Sequence, residues 1–279
     1  MTAIESHPLI AKLKAAKVYP MIATPAHHGQ VNIAYLHSML ALMELGRQAG
    51  IPIGRVVTDA GGLDLQRNEI AGGFRETPCT HLFFVDADMG FDPVDVLMML
   101  ATGHPVIGGV YAMKRLNWEA IRRAALEGVS AEALQSCGVA YTWAGEGTQQ
   151  EMEVKIQDTS AGKRADAIVV APKLGTGFLC IERSVFDAIE TARPDLKYTS
   201  HAETTIGKPR VAFFNCGINK EGYFSGEDYN FCRLCADAGI TVRAFLGAKL
   251  THAGPVTFDG NVLVRELAQQ ASNSAVRVP

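Results

Sequence analysis

Two carboxylates stand two residues apart directly after an apolar run. Residues 82–85 read Leu-Phe-Phe-Val, and Asp86, Ala87 and Asp88 follow them. Acidic side chains this close repel each other unless a cation or hydrogen-bond donors neutralise them. Hard oxygen ligands suit Mg²⁺ or Mn²⁺ held together with a substrate diphosphate. The segment therefore indicates a metal and diphosphate site, and the alternative is a loop with a helix cap and a surface charge.

Two further signals lie late in the chain. Glu227 and Asp228 open a helical pattern, where carboxylates either serve a reaction or complement the helix dipole. His252 follows an apolar run and is either a metal ligand or a structural histidine. Cys232 and Cys235 have zinc-like spacing, but no second pair follows, which disfavours a zinc site. The sequence has no P-loop, no Gly-x-Gly-x-x-Gly and no Gly-x-Ser-x-Gly elbow, so P-loop NTPases and Rossmann dehydrogenases are not supported.

Strand and helix patterns alternate through the first part of the chain. Apolar runs predict strands at residues 18–23, 53–58, 81–85 and 106–111. Helical spacing predicts helices at residues 32–50 and 63–74 and another that begins at Asp92. This rhythm predicts an α/β fold with a mainly parallel sheet covered on both faces. Ligands collect at the carboxyl ends of such strands, which is where Asp86 and Asp88 stand.

The pattern changes after residue 112. Short helices are predicted at 118–126 and 131–135, and strand-like runs divided by polar loops such as 145–150 fill residues 139–172. Helical spacing returns at 183–191 and 227–238, and residues 273–279 read as a loose tail. The sequence shows no repeat or clear linker. We therefore expect one domain over residues 1–279, with an irregular antiparallel second half.

Composition sets the broad class. The chain has 279 residues, a formal charge of −3, 48% hydrophobic and 20% charged residues, which predicts a globular protein with a sizeable core. This balance excludes a grossly basic nucleic-acid binder but leaves room for a local basic groove, for which Lys114, Arg115, Arg122 and Arg123 are candidates, with a solvated helix face as the alternative. Six irregularly spaced cysteines favour a reducing cytoplasm. Charged residues before residue 17 predict no secretory leader, and no membrane span is predicted.

The order of these motifs resembles that of GT-A glycosyltransferases. The stretches that carry the resemblance to a group common in tailed phages and some bacteria are residues 80–88, 108–111, 117–118, 175–178 and 227–233. The resemblance spans residues 18–260. It implies a GT-A-type mixed sheet with a nucleotide-sugar-binding half at about 18–112, an acceptor half at about 113–260, and a C-terminal helix and tail at 261–279.

The resemblance also implies roles for individual residues. Asp88 and His252 would bind Mn²⁺ or Mg²⁺, and Asp86 would bind the ribose, the metal or both. The ion would neutralise the departing diphosphate. Arg67 would grip the diphosphate or sugar with its planar fork. The implied nucleotide-sugar contacts are Thr24, Pro25, Asp59, Arg67, Asn68, Asp86, Ala87, Gly175 and Gly177.

The acceptor side is less defined. Asp228, or less favourably Glu227, is the candidate base that takes the proton of the acceptor hydroxyl in an inverting transfer. A retaining transfer needs no such base, and the sequence leaves both open. Gly175 and Gly177 either let the backbone approach the sugar or form a plain turn. Tyr111 and Trp118 are candidates for stacking on the acceptor or for packing.

The leading hypothesis is therefore a metal-dependent glycosyltransferase that uses a nucleoside-diphosphate sugar, with UDP favoured over GDP. A 5-hydroxymethylpyrimidine in phage DNA is one acceptor hydroxyl, beside sugar, lipid and protein hydroxyls, and the location would be cytoplasmic, in the host if phage-encoded. A nucleotidyltransferase is an alternative, although residues 24–30 lack its Arg and Lys. A non-catalytic nucleotide-sugar or glycan-binding protein is another.

Overall fold

A computed structural model describes residues 7–59, 61–144, 167–203, 205–218, 222–254 and 258–275. The strands are β1 (Pro20–Pro25), β2 (Gly54–Thr58), β3 (His81–Val85), β4 (Met89–Phe91), β5 (Val106–Gly109), β6 (Ala112–Leu116), β7 (Val139–Tyr141), β8 (Trp143–Ala144), β9 (Ile168–Val170), β10 (Lys173–Leu174), β11 (Phe178–Glu182), β12 (Lys197–Thr199), β13 (Pro209–Val211), β14 (Gly217–Ile218), β15 (Phe224–Ser225), β16 (Val242–Phe245), β17 (Leu250–His252) and β18 (Phe258–Asp259). The helices are α1 (Pro8–Ala15), α2 (Ile33–Ala49), α3 (Leu63–Arg75), α4 (Pro93–Thr102), α5 (Trp118–Leu126), α6 (Ala131–Cys137), α7 (Arg183–Ala192), α8 (Glu227–Asp237) and α9 (Val262–Ala275), with short 3-10 turns at His27–Gly29 and Pro194–Leu196.

A seven-stranded sheet forms the centre of the fold, in the order β2-β1-β3-β11-β5-β16-β9. Strands β2, β1 and β3 are parallel to one another, as are β5 and β16. Strand β11 runs antiparallel to both β3 and β5 and joins the two groups, and β9 is antiparallel at the edge. The predicted α/β class with a mixed, mainly parallel sheet is confirmed.

Strand β3 shows why this sheet is covered on both faces. Leu82 and Phe84 belong to one hydrophobic cluster, and Phe83 and Val85 belong to the other. All four are fully buried. Alternate residues of a strand point to opposite faces, so a run that is apolar at every position requires cover on both sides. The carboxyl end of β3 is thereby held rigidly, and the polar residues after it start from a fixed point.

The second half contains small antiparallel sheets, as predicted. Strand β6 pairs with β7, β8 with β10, β12 with β13, and β14 with β15. A three-stranded sheet, in the order β18-β17-β4, brings His252 opposite Met89. This pairing carries the late histidine to the loop that follows β3. The predicted polar loop at residues 145–150 lies outside the described residues.

Several boundaries differ from the prediction. Helix α1 was not predicted; Pro8 at its first position and the His7 side chain, which accepts from the Leu9 amide at 3.2 Å, explain where it starts. Helix α9 continues to Ala275, so residues 273–275 are helical rather than a loose tail, and residues 276–279 lie outside the described range. The single-domain organisation stays a prediction. Among the described helices, none combines the length and the apolar character that a bilayer crossing requires.

Candidate functional site

The loop after β3 is held by backbone hydrogen bonds to three other parts of the chain. The Asp86 amide donates to the Gly177 carbonyl at 2.9 Å. The Asn32 amide donates to the Ala87 carbonyl at 2.7 Å, and the Ala253 amide donates to the Asp88 carbonyl at 2.8 Å. These bonds fix the backbone of the three residues that the sequence predicts to bind metal and diphosphate.

Asp88 and His252 come together at this loop. Asp88 Oδ1 lies 3.4 Å from His252 Nε2, and His252 Nδ1 lies 2.8 Å from the carbonyl oxygen of Ala112. A carbonyl oxygen only accepts, so Nδ1 carries a hydrogen. In the neutral ring the lone pair of Nε2 then faces the carboxylate, and a proton or a metal ion between the two atoms is what makes this contact favourable.

The charge state of Asp88 is set by its surroundings. Partial burial by itself raises the pKa of this carboxyl, but hydrogen bonds from His252 and Lys114, together with their charges, outweigh it and lower the pKa to about 2. The Lys114 ammonium contacts Asp88 Oδ2, the oxygen that does not face His252. Asp88 is therefore an anion at neutral pH, with both oxygens directed at nitrogen groups.

Two of the three residues predicted to bind a metal ion, Asp88 and His252, come together in the described part of the chain. Within the described ranges, no group of three or more His, Cys, Asp and Glu side chains is placed to hold a metal ion. Ligands about 2.1 Å from an ion and at right angles to each other lie roughly 3 Å apart, which the 3.4 Å pair of Asp88 and His252 approaches. Mg²⁺-type sites commonly take one or two protein ligands, and substrate phosphates and waters complete them. Asp88 and His252 fit such a site.

Asp86 is turned toward a buried arginine. Its Oδ1 accepts from Arg67 Nη2 at 2.9 Å, and Arg67 Nε lies 3.6 Å from Glu227 Oε1. The guanidinium also lies over the Phe84 ring, 5.1 Å from its centroid. Among the described residues, Arg67 Nε and Nη1 have no hydrogen-bond acceptor.

Arg67, for which the resemblance implies a grip on the diphosphate or sugar, is buried. It is 1% exposed, and in this structure its guanidinium contacts Asp86 and Glu227. Burial favours loss of its proton, but Asp86 and Glu227 outweigh that effect and raise the pKa of Arg67. Arg67 is a fixed cation that holds two site carboxylates in place.

Glu227 and Asp228 lie at the first turn of α8, after Gly226. Asp228 Oδ1 accepts from the Tyr229 amide at 2.7 Å. Burial raises the pKa of both carboxyls, although the nearby Arg67 charge opposes it. A carboxylate with a raised pKa is a stronger proton acceptor than an exposed one, which suits the base role predicted for Asp228. Because Arg67 contacts both Asp86 and Glu227, the helix start and the β3 loop share one site.

Tyr111 explains the two glycines after β10. A Cβ on Gly177 would lie 2.6 Å from the Tyr111 hydroxyl and 2.7 Å from Asp86 Oδ2, and one on Gly175 would lie 2.5 Å from the same hydroxyl. The Gly177 amide donates to the Tyr111 hydroxyl at 3.0 Å. Burial and the Asp86 charge raise the pKa of Tyr111. In this structure the glycines make room for Tyr111 and Asp86, and Tyr111 is buried instead of available for stacking, whereas Trp118 is exposed.

A cavity of about 400 Å³ opens beside the loop. It is lined by Pro25, His27, Gln30, Val31, Asn32, Leu63, Asp86, Ala87 and Asp88. Pro25, Asp86, Ala87 and Asp88 were expected at the donor site. The side chains contributed by residues 27–32 were not, although a positive φ at His28 and Gly29 marks this turn as specialised.

The three other residues predicted to contact the donor have different surroundings from one another. Thr24 is fully buried, and its hydroxyl is 2.6 Å from the Tyr35 hydroxyl. The Asn68 side chain is also buried; it donates to the Phe214 carbonyl at 2.7 Å and accepts from the Phe214 amide at 2.8 Å. Both residues are therefore engaged in structural hydrogen bonds. Asp59 is exposed after β2, with Oδ2 3.5 Å from the position of a Cβ on Gly29.

The candidate basic groove is partly neutralised. Lys114 contacts Asp88. Arg122 pairs with Glu119 at 2.8 Å on the exposed face of α5. Two of the four cations are thus engaged with carboxylates, which favours the solvated helix face over a groove built for nucleic-acid phosphates.

No family model matches the chain, and no curated protein matches it. The solved structures it is similar to include A197 from STIV, with 14% identity, 88% of this chain and 95% of that chain covered and a TM-score of 0.44. UDP-glucose pyrophosphorylase complexed with UDP-glucose has 10% identity, coverage of 99% and 89%, and a TM-score of 0.33. The 4-diphosphocytidyl-2C-methyl-D-erythritol synthase from Anaerococcus prevotii DSM 20548 has 8% identity, coverage of 71% and 83%, and a TM-score of 0.31. At scores this low the functional argument rests on the side chains of this chain, and the resemblance to phage glycosyltransferases stays a prediction.

Proposed function

We propose that the protein is a metal-dependent glycosyltransferase that uses a nucleoside-diphosphate sugar, with UDP as the favoured nucleotide. The observation that carries the proposal is the pair of Asp88 Oδ1 and His252 Nε2, 3.4 Å apart. The imidazole is oriented by the Ala112 carbonyl, and Asp88 lines the cavity at the carboxyl end of β3. This is the edge at which α/β sheets bind nucleotides.

In this proposal Asp88 and His252 would hold Mn²⁺ or Mg²⁺ together with the donor diphosphate, where the ion would supply positive charge to the leaving group. Asp86 faces the cavity beside them, and the buried Arg67 fixes its orientation at 2.9 Å. The donor would therefore bind at a sheet edge whose charged side chains are already oriented. Electrostatic stabilisation of a leaving group requires such preorganisation.

In an inverting transfer, Asp228 accepts the proton of the acceptor hydroxyl. The acceptor hydroxyl oxygen bonds to the anomeric carbon, the bond from that carbon to the diphosphate breaks with its electron pair on the leaving oxygen, and the hydroxyl proton passes to the Asp228 carboxylate. Burial raises the pKa of Asp228, which strengthens it as a base. In a retaining transfer Asp228 would only position the acceptor or the donor.

Nucleotidyl transfer is the second candidate. The observation that favours it is the Lys114 ammonium beside Asp88, because attack on a nucleotide α-phosphate also requires a cation on the phosphate oxygens. In that reaction a sugar 1-phosphate would attack a nucleoside triphosphate and release pyrophosphate. The same loop would then bind the triphosphate and its metal ion.

One set of assays separates these candidates. The protein is incubated with Mn²⁺ and either UDP-sugars or UTP plus sugar 1-phosphates, and release of UDP or of pyrophosphate is measured. We expect UDP release from at least one UDP-sugar, lost in Asp88→Ala and retained in Asp195→Ala, an exposed carboxylate paired with Arg193. Pyrophosphate release alone would replace the first proposal by the second. Metal-dependent UDP binding without turnover would favour a binding protein.

The proposed acceptor is a hydroxyl group, and a 5-hydroxymethylpyrimidine in DNA is the acceptor to test first. Transfer is measured to duplexes with and without the hydroxymethyl group, beside simple sugar acceptors. Sugar incorporation only into the hydroxymethylated duplex would establish the DNA acceptor. Transfer to a free sugar but not to DNA would remove it while leaving the donor chemistry intact.

A further inference from the structure

Lys114 is a cation of the site that has no role in the proposed glycosyl transfer. It lies on β6, the strand whose Ala112 carbonyl orients His252. Its ammonium contacts Asp88 Oδ2, and its side chain is 33% exposed, so it reaches the open side of the loop. One short strand thus presents both the group that orients the histidine and a positive charge.

The two oxygens of Asp88 have different partners. Oδ1 faces His252 Nε2 at 3.4 Å, and Oδ2 contacts Lys114. A divalent ion on Oδ1 and Nε2 would add two positive charges within a few ångströms of the ammonium. Like charges at such distances repel strongly in a partly dehydrated site, so metal binding weakens the hold of Asp88 on Lys114.

A bound donor would offer the Lys114 ammonium a new partner, the diphosphate. A nucleoside diphosphate bound to the ion places phosphate oxygens beside Asp88, within the swing of a flexible four-carbon side chain. Lysine binds phosphate as a point charge at the end of a flexible stem, so it tolerates a change of partner. Arg67, for which the resemblance implies the diphosphate role, is buried and donates to Asp86 in this structure.

We infer that Lys114 is a diphosphate-binding residue that neutralises Asp88 through Oδ2 before the metal ion binds and moves to the donor diphosphate when the ion binds. This inference rests on the proposed function, because it requires a metal ion and a diphosphate at the site. It gives Lys114 a diphosphate-binding role that the resemblance does not imply. The alternative is a fixed ion pair that only stabilises the loop.

The two accounts predict different responses of Lys114→Met. If Lys114 competes with the ion and serves the diphosphate, the variant binds Mn²⁺ alone about tenfold more tightly and binds UDP in the presence of Mn²⁺ about tenfold more weakly. Binding of UMP, which lacks the second phosphate, changes less than threefold. A structural ion pair would not move the two affinities in opposite directions.

The experiment measures Mn²⁺ affinity by electron paramagnetic resonance and nucleotide affinity by calorimetry for wild type, Lys114→Met, Lys114→Arg and Lys208→Met. Lys208 is an exposed lysine paired with Glu76 at 3.2 Å and serves as the matched control. We expect Lys114→Arg to retain UDP affinity within about threefold, because its charge remains. Thermal unfolding verifies that each variant is folded.

Opposite shifts of Mn²⁺ and UDP affinity in Lys114→Met support the inference, and any other pattern overturns it. If wild type binds UDP with the same affinity with and without Mn²⁺, the proposed function fails and the inference fails with it. If wild type shows metal-dependent UDP binding that Lys114→Met leaves unchanged, the inference alone fails.

Discussion

Arg67 donates to Asp86 at 2.9 Å from a position that is 1% exposed. A guanidinium so deeply buried has lost its hydration, and the two carboxylates beside it, Asp86 and Glu227, supply the compensating charge. Asp86 of the β3 loop and Glu227 at the start of α8 therefore contact the same buried guanidinium. Helix α8 also carries the candidate base, Asp228. This relationship makes the geometry of the site depend on a buried side chain.

Replacing Arg67 by methionine should be strongly destabilising. The substitution leaves two partly buried carboxylates without their cation, and breaking a buried pair in this way typically costs about 3–5 kcal/mol. Urea unfolding measures the effect. Arg193→Met, which removes a more exposed ion pair with Asp195, is the control and should cost less than about 1 kcal/mol. Equal losses in the two variants would show that Arg67 is not the charge on which the site depends.

Gly177 should not tolerate a side chain. A Cβ there would lie 2.6 Å from the Tyr111 hydroxyl and 2.7 Å from Asp86 Oδ2, so Gly177→Ala should lose about 1–3 kcal/mol of stability. Gly217→Ala, where a Cβ would meet nothing within 4 Å, is the matched control. Tyr111→Phe removes the clashing hydroxyl, so the double variant should recover part of the loss. Strictly additive losses would contradict this assignment of the clash.

Asp228 should make folding stability depend on pH. Its folded pKa is raised by burial, so between the ordinary carboxyl pKa of about 4 and the folded value the native state binds more protons than the unfolded state. Stability from this group is therefore fully present below pH 4 and is lost as the pH rises through the folded pKa. The free energy of unfolding is measured at pH 4 and pH 7. Relative to wild type, Asp228→Asn should be more stable at pH 7 than at pH 4. A difference that is the same at both pH values would contradict the raised pKa.

The same substitution should lower turnover. If Asp228 is the base of an inverting transfer, Asp228→Asn loses the proton acceptor and its turnover number should fall by about 10²–10⁴ while donor affinity changes little. Steady-state kinetics with the UDP-sugar found active, together with UDP binding, tests this. Turnover within threefold of wild type would remove Asp228 as a base and favour the retaining chemistry.

His252 should matter for metal binding more than for folding. His252→Ala removes one of two proposed donors, so Mn²⁺ affinity should fall by at least about tenfold. His201→Ala is the matched histidine control, because His201 is exposed and lies outside the helices and strands. Electron paramagnetic resonance of bound Mn²⁺ provides the measurement. Unchanged Mn²⁺ affinity would show that the contact of His252 with Asp88 is an ordinary ion pair.

The sequence allowed the β3 edge to be predicted because the signal there is local. Residues 82–85 are apolar at every position, which requires a strand buried on both faces, and the residues after such a strand must lie at the sheet edge. The meeting of Asp88 with His252 was expected only through the resemblance to GT-A enzymes. The structure accounts for it by the pairing of β17 with β4.

Other features depend on tertiary packing and have no local signature. Strand β11 enters the sheet antiparallel between β3 and β5, which no periodicity reveals. The carboxylates that neutralise the buried Arg67, Asp86 and Glu227, come from distant segments of the chain. The glycines at 175 and 177 indicated a close approach, but the partner, the Tyr111 hydroxyl, comes from a distant segment.

The most direct test of the central claim is the affinity for UDP measured by calorimetry with and without Mn²⁺, for wild type and Asp88→Asn. The substitution keeps the size of the side chain and removes the charge that would hold the ion. The proposed site predicts that Mn²⁺ strengthens UDP binding to wild type by at least about tenfold and has little effect on UDP binding to the variant. Equal UDP affinities with and without Mn²⁺ in wild type, or an equal Mn²⁺ effect in the two proteins, would contradict it.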